Sequence, residues 1–177
     1  MAERFTFHEE SSGFVGQPPE RVFAMLDDHE RLAAHMAKPS WRMGWATMQI
    51  ITDPQRPRGV GAPITLRGRV FGLRLSVDEV VTRYEPPSVK EWETTHEPRL
   101  LVIGRYRIAF LTSADRKGTA LRVTIDYNRP ASGASRLFAA LFGRMYAKWC
   151  TSQMIGDAIK ARYDSIERER SHFANAG

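Results

Sequence analysis

Cysteine is almost missing from this chain: Cys150 is the only one. That excludes an intrachain disulfide framework and any metal centre built from several thiolates. Long apolar runs are missing too, since no stretch approaches the roughly 20 residues of a membrane-spanning helix. The opening MAERFTFHEE lacks the apolar core of a signal peptide. The histidines (His8, His29, His35, His96 and His172) lie apart, and no two have the helical spacing of a zinc site. The expectation is therefore a cytoplasmic protein with no metal and no other cofactor. Repeats, low-complexity tracts and internal linkers are likewise absent, which predicts a single domain over residues 1–177 with its core at about 4–165.

What is present fits that class. A length of 177 residues suffices to bury a core without staples. Hydrophobic residues at 42% and charged residues at 26% are ordinary for a globular protein. The net charge of +6 is spread along the chain rather than gathered in a block. It reads as a solvated surface, so nucleic acid is not expected, while peripheral contact with an anionic membrane stays open. The oligomeric state is not legible.

Hydrophobic periodicity orders the elements. RFTFHEESSGFV, residues 4–15, alternates as a first strand. Pro18 and Pro19 then open a short helix carrying Val22, Phe23 and Leu26. DDHERLAAHM predicts a second short helix with Asp27 or Asp28 as its N-cap. From Trp41 to Asn128 nearly everything reads as strand. Met43 and Trp45 share one parity, as do Ile64, Leu66 and Val70. Phe71-Gly72 reads as a tight turn. Trp92, Thr94 and His96 share a parity, then Tyr106, Ile108 and Phe110, then Leu121, Val123, Ile125 and Tyr127. After Pro130 the period becomes helical. One long helix is predicted from about Gly133 to Arg170, its apolar face made by Leu137, Phe138, Leu141, Phe142, Met145, Trp149, Ile155 and Ile159. Residues 166–177 form a charged end expected to fray. The fold class is α+β: an antiparallel sheet whose apolar face is covered by the final helix.

One strand breaks its own pattern. In RLSVDEVVTRYEPP, residues 74–87, regular alternation turns Leu75, Val77, Glu79 and Val81 inward and buries a carboxylate. A β-bulge at Asp78-Glu79 would instead turn Val80, Thr82 and Tyr84 inward and leave both acids in water. The cost of burying a charge favours the bulge.

This order of elements resembles the helix-grip fold of the SRPBCC superfamily, which groups START, birch-pollen-allergen-like, polyketide cyclase/dehydrase-like and lipid-transfer-like proteins. The resemblance rests on PPERVFAMLDDHERLAAHM, VVTRYEPPSVKEWET and RYRIAFLTSADRKGTALRVTIDY, and it spans the chain from about Thr6 to Tyr163. It implies a curved sheet wrapped around the long helix, with a hydrophobic cavity between them. The residues that would line the cavity are Met43, Trp45, Leu66, Val70, Leu75, Val77, Trp92, Thr94, Tyr106, Ile108, Val123, Ile125, Tyr127, Phe138, Phe142, Met145 and Trp149. The same large side chains can equally be core, because aromatics and methionines serve both ends.

Chemistry-bearing residues are few. His96, Tyr106 and Glu79 are the weak acid–base candidates. Cys150 sits among helix residues beside Trp149 and reads as a buried, inert thiol. GVGAPITLRG runs into a strand rather than a helix, so its glycines cannot present a phosphate to a helix N-terminus. Arg67, Arg69, Arg74, Arg105, Arg107 and Arg122 fall on outward parities, which reads first as a solvated sheet face interleaved with Thr, Ser and Asp and second as a basic face for a partner. Three readings follow: a binder of a hydrophobic small molecule such as a lipid or polyketide; a metal-free cyclase or aromatase using inward polar groups; or a protein-interaction module working through that basic face.

Overall fold

The strictest alternation in the sequence, Leu121 to Tyr127, makes one strand of a wall with apolar residues on one side only. Leu121, Val123, Ile125 and Tyr127 are buried, and Arg122, Thr124 and Asp126 point away. The computed structural model describes residues 5–28, 47–51, 59–70, 73–131 and 134–174. Within them the elements are β1 (Phe7–Val15), α1 (Pro19–Asp27), β2 (Thr47–Ile51), β3 (Pro63–Val70), β4 (Leu73–Glu85), β5 (Val89–Thr94), β6 (Tyr106–Asp115), β7 (Gly118–Tyr127) and α2 (Ala134–Ala174). The strands form one seven-stranded antiparallel sheet in the order β1-β7-β6-β5-β4-β3-β2. Strands β2 to β7 form a meander, and β1 joins its end by pairing with β7, Phe7 opposite Tyr127 and Val15 opposite Thr119.

The two helices cover the inward face. Pro19 starts α1, where its missing N–H costs nothing. Val22, Phe23 and Leu26 seal that helix against the sheet, with the Phe23 ring 5.2 Å from Phe110 and 5.8 Å from Tyr84. The second short helix predicted from DDHERLAAHM lies outside the described residues beyond Asp28. So do Met43, Trp45 and the Phe71-Gly72 turn.

The long helix is where the predicted one lies, but of its predicted apolar face only Ile155 and Ile159 pack into the core. Ala139, Gly143, Ala147, Thr151 and Ile155, spaced by four, are buried together with Ala158. Leu137, Phe138, Leu141, Phe142, Met145 and Trp149 are exposed. Close approach explains the inversion. A Cβ on Gly143 would stand 3.1 Å from the Val102 carbonyl oxygen, and one on Gly13 of β1 would stand 2.5 Å from Ile155 Cγ2. A helix this near β1 and the segment between β5 and β6 accepts only small side chains over most of the contact, so the large ones turn away. Hydroxyls complete the seam: Ser11 Oγ lies 2.7 Å from Thr151 Oγ1 and 3.1 Å from Ser152 Oγ. Arg144 donates to Glu9 at 2.7 Å.

Candidate functional site

Strand β4 carries the acid whose direction the sequence left open. It stays regular through Glu79, so Val77, Glu79 and Val81 all point inward and are buried, Glu79 at 4% exposure. The bulge predicted at Asp78-Glu79 falls later, where the register with β5 shifts between Val81 and Arg83. That extra residue turns Tyr84 back toward the core, which is why the strand could hold both apolar valines and the acid on one side.

Glu79 is tolerated because donors meet it. It pairs with Thr94 on β5, and Thr94 in turn accepts the Tyr106 backbone N–H at 3.2 Å, so the three residues form a row across β4, β5 and β6. Tyr106 donates its phenol hydrogen to Glu79 Oε1 in a short hydrogen bond. The Trp92 side chain supplies a further hydrogen bond. Burial pushes the Glu79 carboxyl up from its ordinary 4.5 to about 7, although both hydrogen bonds and the Lys90 charge pull against that rise. The same burial, with the carboxylate beside it, holds the Tyr106 phenol well above its usual range. Tyr106 therefore acts as a donor, and Glu79 can exchange a proton near neutrality.

Helix α2 closes this centre from the other side. Tyr146 and Cys150, one turn apart, share a hydrogen bond and lie near enough to Tyr106 to raise its pKa further. Burial pushes the Cys150 thiol up to about 12, so it stays protonated and is a poor nucleophile.

Beside the centre lies an ion pair that sequence reasoning missed. Lys90 Nζ stands 2.5 Å from Asp27 Oδ1, with both side chains almost fully buried, and Tyr84 donates to Asp27 Oδ2 at 3.0 Å. The Lys90 ammonium also lies 5.9 Å from the Tyr84 ring centroid and 6.0 Å from that of Trp92. A signal existed, because Lys90 shares the inward parity of Trp92 and Thr94. Asp27, one of the two residues read as the cap of the following helix, is the last residue of α1 and is turned into the interior.

The sequence-predicted residues divide accordingly. Leu66, Val77, Trp92, Thr94, Tyr106, Val123, Ile125 and Tyr127 are buried on the inward face, with Leu75 and Ile108 half-buried. Met43 and Trp45 lie outside the described residues, as does the Val70 side chain. Phe138, Phe142, Met145 and Trp149 are exposed on the helix face turned from the sheet, so they do not join the inward wall. His96 sits just past the strand end rather than on the inward wall: β5 ends at Thr94, and His96 is exposed, its Nδ1 2.9 Å from Thr95 Oγ1. The outward arginines are partly neutralised. Arg67 meets Asp78 at 2.7 Å, Arg107 meets Glu93 at 2.7 Å, and Arg122 lies 3.7 Å from Glu10. No metal-holding group of His, Cys, Asp and Glu occurs among the described residues, and no described helix is long and apolar enough to cross a membrane.

Similarity to known proteins agrees with this architecture. The chain superposes on Ara h 8.0201 with a TM-score of 0.61 at 13% identity, covering 90% of this chain and 98% of that one. A protein of Thermus thermophilus gives 0.60 at 14% identity, covering 90% and 98%. The ZhuI aromatase/cyclase from Streptomyces sp. R1128 gives 0.56 at 18% identity, covering 86% and 93%. At such identities the likeness shows the fold, a helix-grip fold. No curated protein matches in sequence. The profile of the family described as polyketide cyclase / dehydrase and lipid transport matches residues 10–153, most of the length, and the chain belongs to that SRPBCC family.

Proposed function

We propose that the protein binds a largely apolar small molecule, of lipid or polyketide type, against the inward face of the sheet beside α2, and that Glu79 and Tyr106 fix its polar end. One observation carries this reading: a hydrogen-bonded acid and phenol are set into an otherwise apolar wall of Leu66, Val77, Val81, Trp92 and Ile125. Such a wall supplies affinity by removing ligand surface from water, while a few convergent polar groups set orientation. A carbonyl or hydroxyl oxygen on the ligand suits the centre, since protonated Glu79 can donate to it while Tyr106 holds the other carboxyl oxygen in place.

A second reading rests on the same pair. An acid titrating near 7 and held by a phenol is suited to moving a proton to or from a bound polyketone, as a cyclase or aromatase would require. Glu79→Gln separates the two readings: a binder keeps its ligand, whereas a cyclase keeps the ligand and loses turnover. The binding claim itself is tested by native mass spectrometry of the protein as purified. The expected result is a retained apolar compound released on denaturation.

A further inference from the structure

The N-terminal part of α2 carries a second apolar face that none of the other described elements covers. Leu137, Phe138, Leu141, Phe142, Met145 and Trp149 are between 38% and 67% exposed. On an α-helix these positions share one arc of about 140° and run for about 18 Å along the axis. The arc lies opposite the row of Ala139, Gly143, Ala147 and Thr151 that seats the helix on β1 and β7. The stripe is ordered within itself: the Phe138 and Phe142 rings stack at 6.4 Å, and Trp149 lies 5.9 Å from Tyr146. Scattered surface leucines are ordinary, but a contiguous stripe of this kind, on the order of several hundred Å², marks an interaction site.

Charge identifies the partner. Residues 127–156 contain no aspartate or glutamate, while Arg129, Arg136, Arg144 and Lys148 are all exposed. Among the described residues, Glu9 of β1 meets this set: Arg144 holds it at 2.7 Å while remaining 85% exposed. A second copy of the chain would bring the same cations against themselves. A bilayer with anionic headgroups satisfies both features. Leucine, phenylalanine, methionine and tryptophan enter the headgroup–acyl boundary, and arginine and lysine meet lipid phosphates.

We propose that the exposed stripe of α2 docks the protein onto an anionic lipid bilayer, with Arg136, Arg144 and Lys148 at the phosphate level. Docking through this surface does not require the centre of Glu79 and Tyr106 to be occupied.

Flotation of the full chain with sealed vesicles tests it, comparing phosphatidylcholine alone with phosphatidylcholine containing about one-third phosphatidylglycerol. The protein is expected to float with the anionic vesicles and to partition about tenfold less onto the neutral ones. Leu141→Gln with Met145→Gln changes only exposed positions, so it should keep the melting temperature and lose about tenfold in partition. Quenching by brominated acyl chains gives a readout free of that variant: wild type is expected to be quenched, and Trp149→Phe to lose most of the quenching. Failure to float with anionic vesicles overturns the proposal. So does flotation or quenching that the substitutions leave unchanged. A solution mass of two chains that the double substitution reduces to one assigns the stripe to self-association and equally overturns it.

Discussion

Tyr106 on β6 donates its phenol hydrogen to Glu79 on β4, across the strand between them. The contact makes a buried acid tolerable and leaves it titrating near neutrality. The carboxyl is raised from 4.5 to about 7, so below pH 4.5 it is neutral in both folded and unfolded chains and has no linkage cost. Between those values the unfolded chain gives up its proton first, and stability falls as pH rises; above about 7 the loss is complete and levels off. The full shift corresponds to roughly 3 kcal/mol. Urea denaturation of wild type and Glu79→Gln from pH 4 to pH 8 is expected to show the wild type losing stability through this window. The glutamine variant should be flatter and the more stable of the two at pH 8.

Tyr106→Phe removes a donor that lowers the Glu79 pKa. The window is therefore expected to extend upward, with the midpoint of the Glu79 carboxyl carbon resonance moving above 7. A downward move would mean that the phenol does not stabilise the carboxylate.

The buried pair of Lys90 and Asp27 should behave as a unit. Lys90→Met takes the ammonium away from the buried Asp27 and is expected to cost about 3–5 kcal/mol by denaturant titration. Asp27→Leu added to Lys90→Met is expected to recover most of that loss, giving a coupling above roughly 2 kcal/mol. Additive losses would contradict a direct pairing.

Gly13 and Ile155 fix how closely α2 sits on β1. Gly13→Ala is expected to destabilise by about 1–3 kcal/mol through overpacking. Ile155→Leu, which removes the branch that the new methyl would strike, should recover part of it.

The sheet was legible because most strands obey a period of two, as Leu121, Val123, Ile125 and Tyr127 do without exception. The seated face of α2 was not, because hydrophobicity marks large side chains, whereas the contact at Gly13 and Gly143 selects small ones. Glu79 was misjudged for an energetic reason. The cost of burying a carboxylate was visible in the strand, but the donors that offset it come from Trp92 on β5 and Tyr106 on β6, which alternation alone does not pair with it. His96 followed its parity in sequence and lost it in space, since β5 ends two residues earlier.

The central claim, that an apolar ligand is held against the inward wall with its polar end on Glu79 and Tyr106, is tested most directly by one thermal-shift screen. Wild type and Tyr106→Phe would be melted against a broad library of fatty acids, sterols and aromatic ketones. A ligand at about 100 times its Kd adds roughly 2.7 kcal/mol, several degrees for a chain of this size. The account predicts such a shift for at least one carbonyl- or hydroxyl-bearing class, and a smaller shift for the same compounds in Tyr106→Phe. A wild type whose melting temperature no member of the library moves would contradict it.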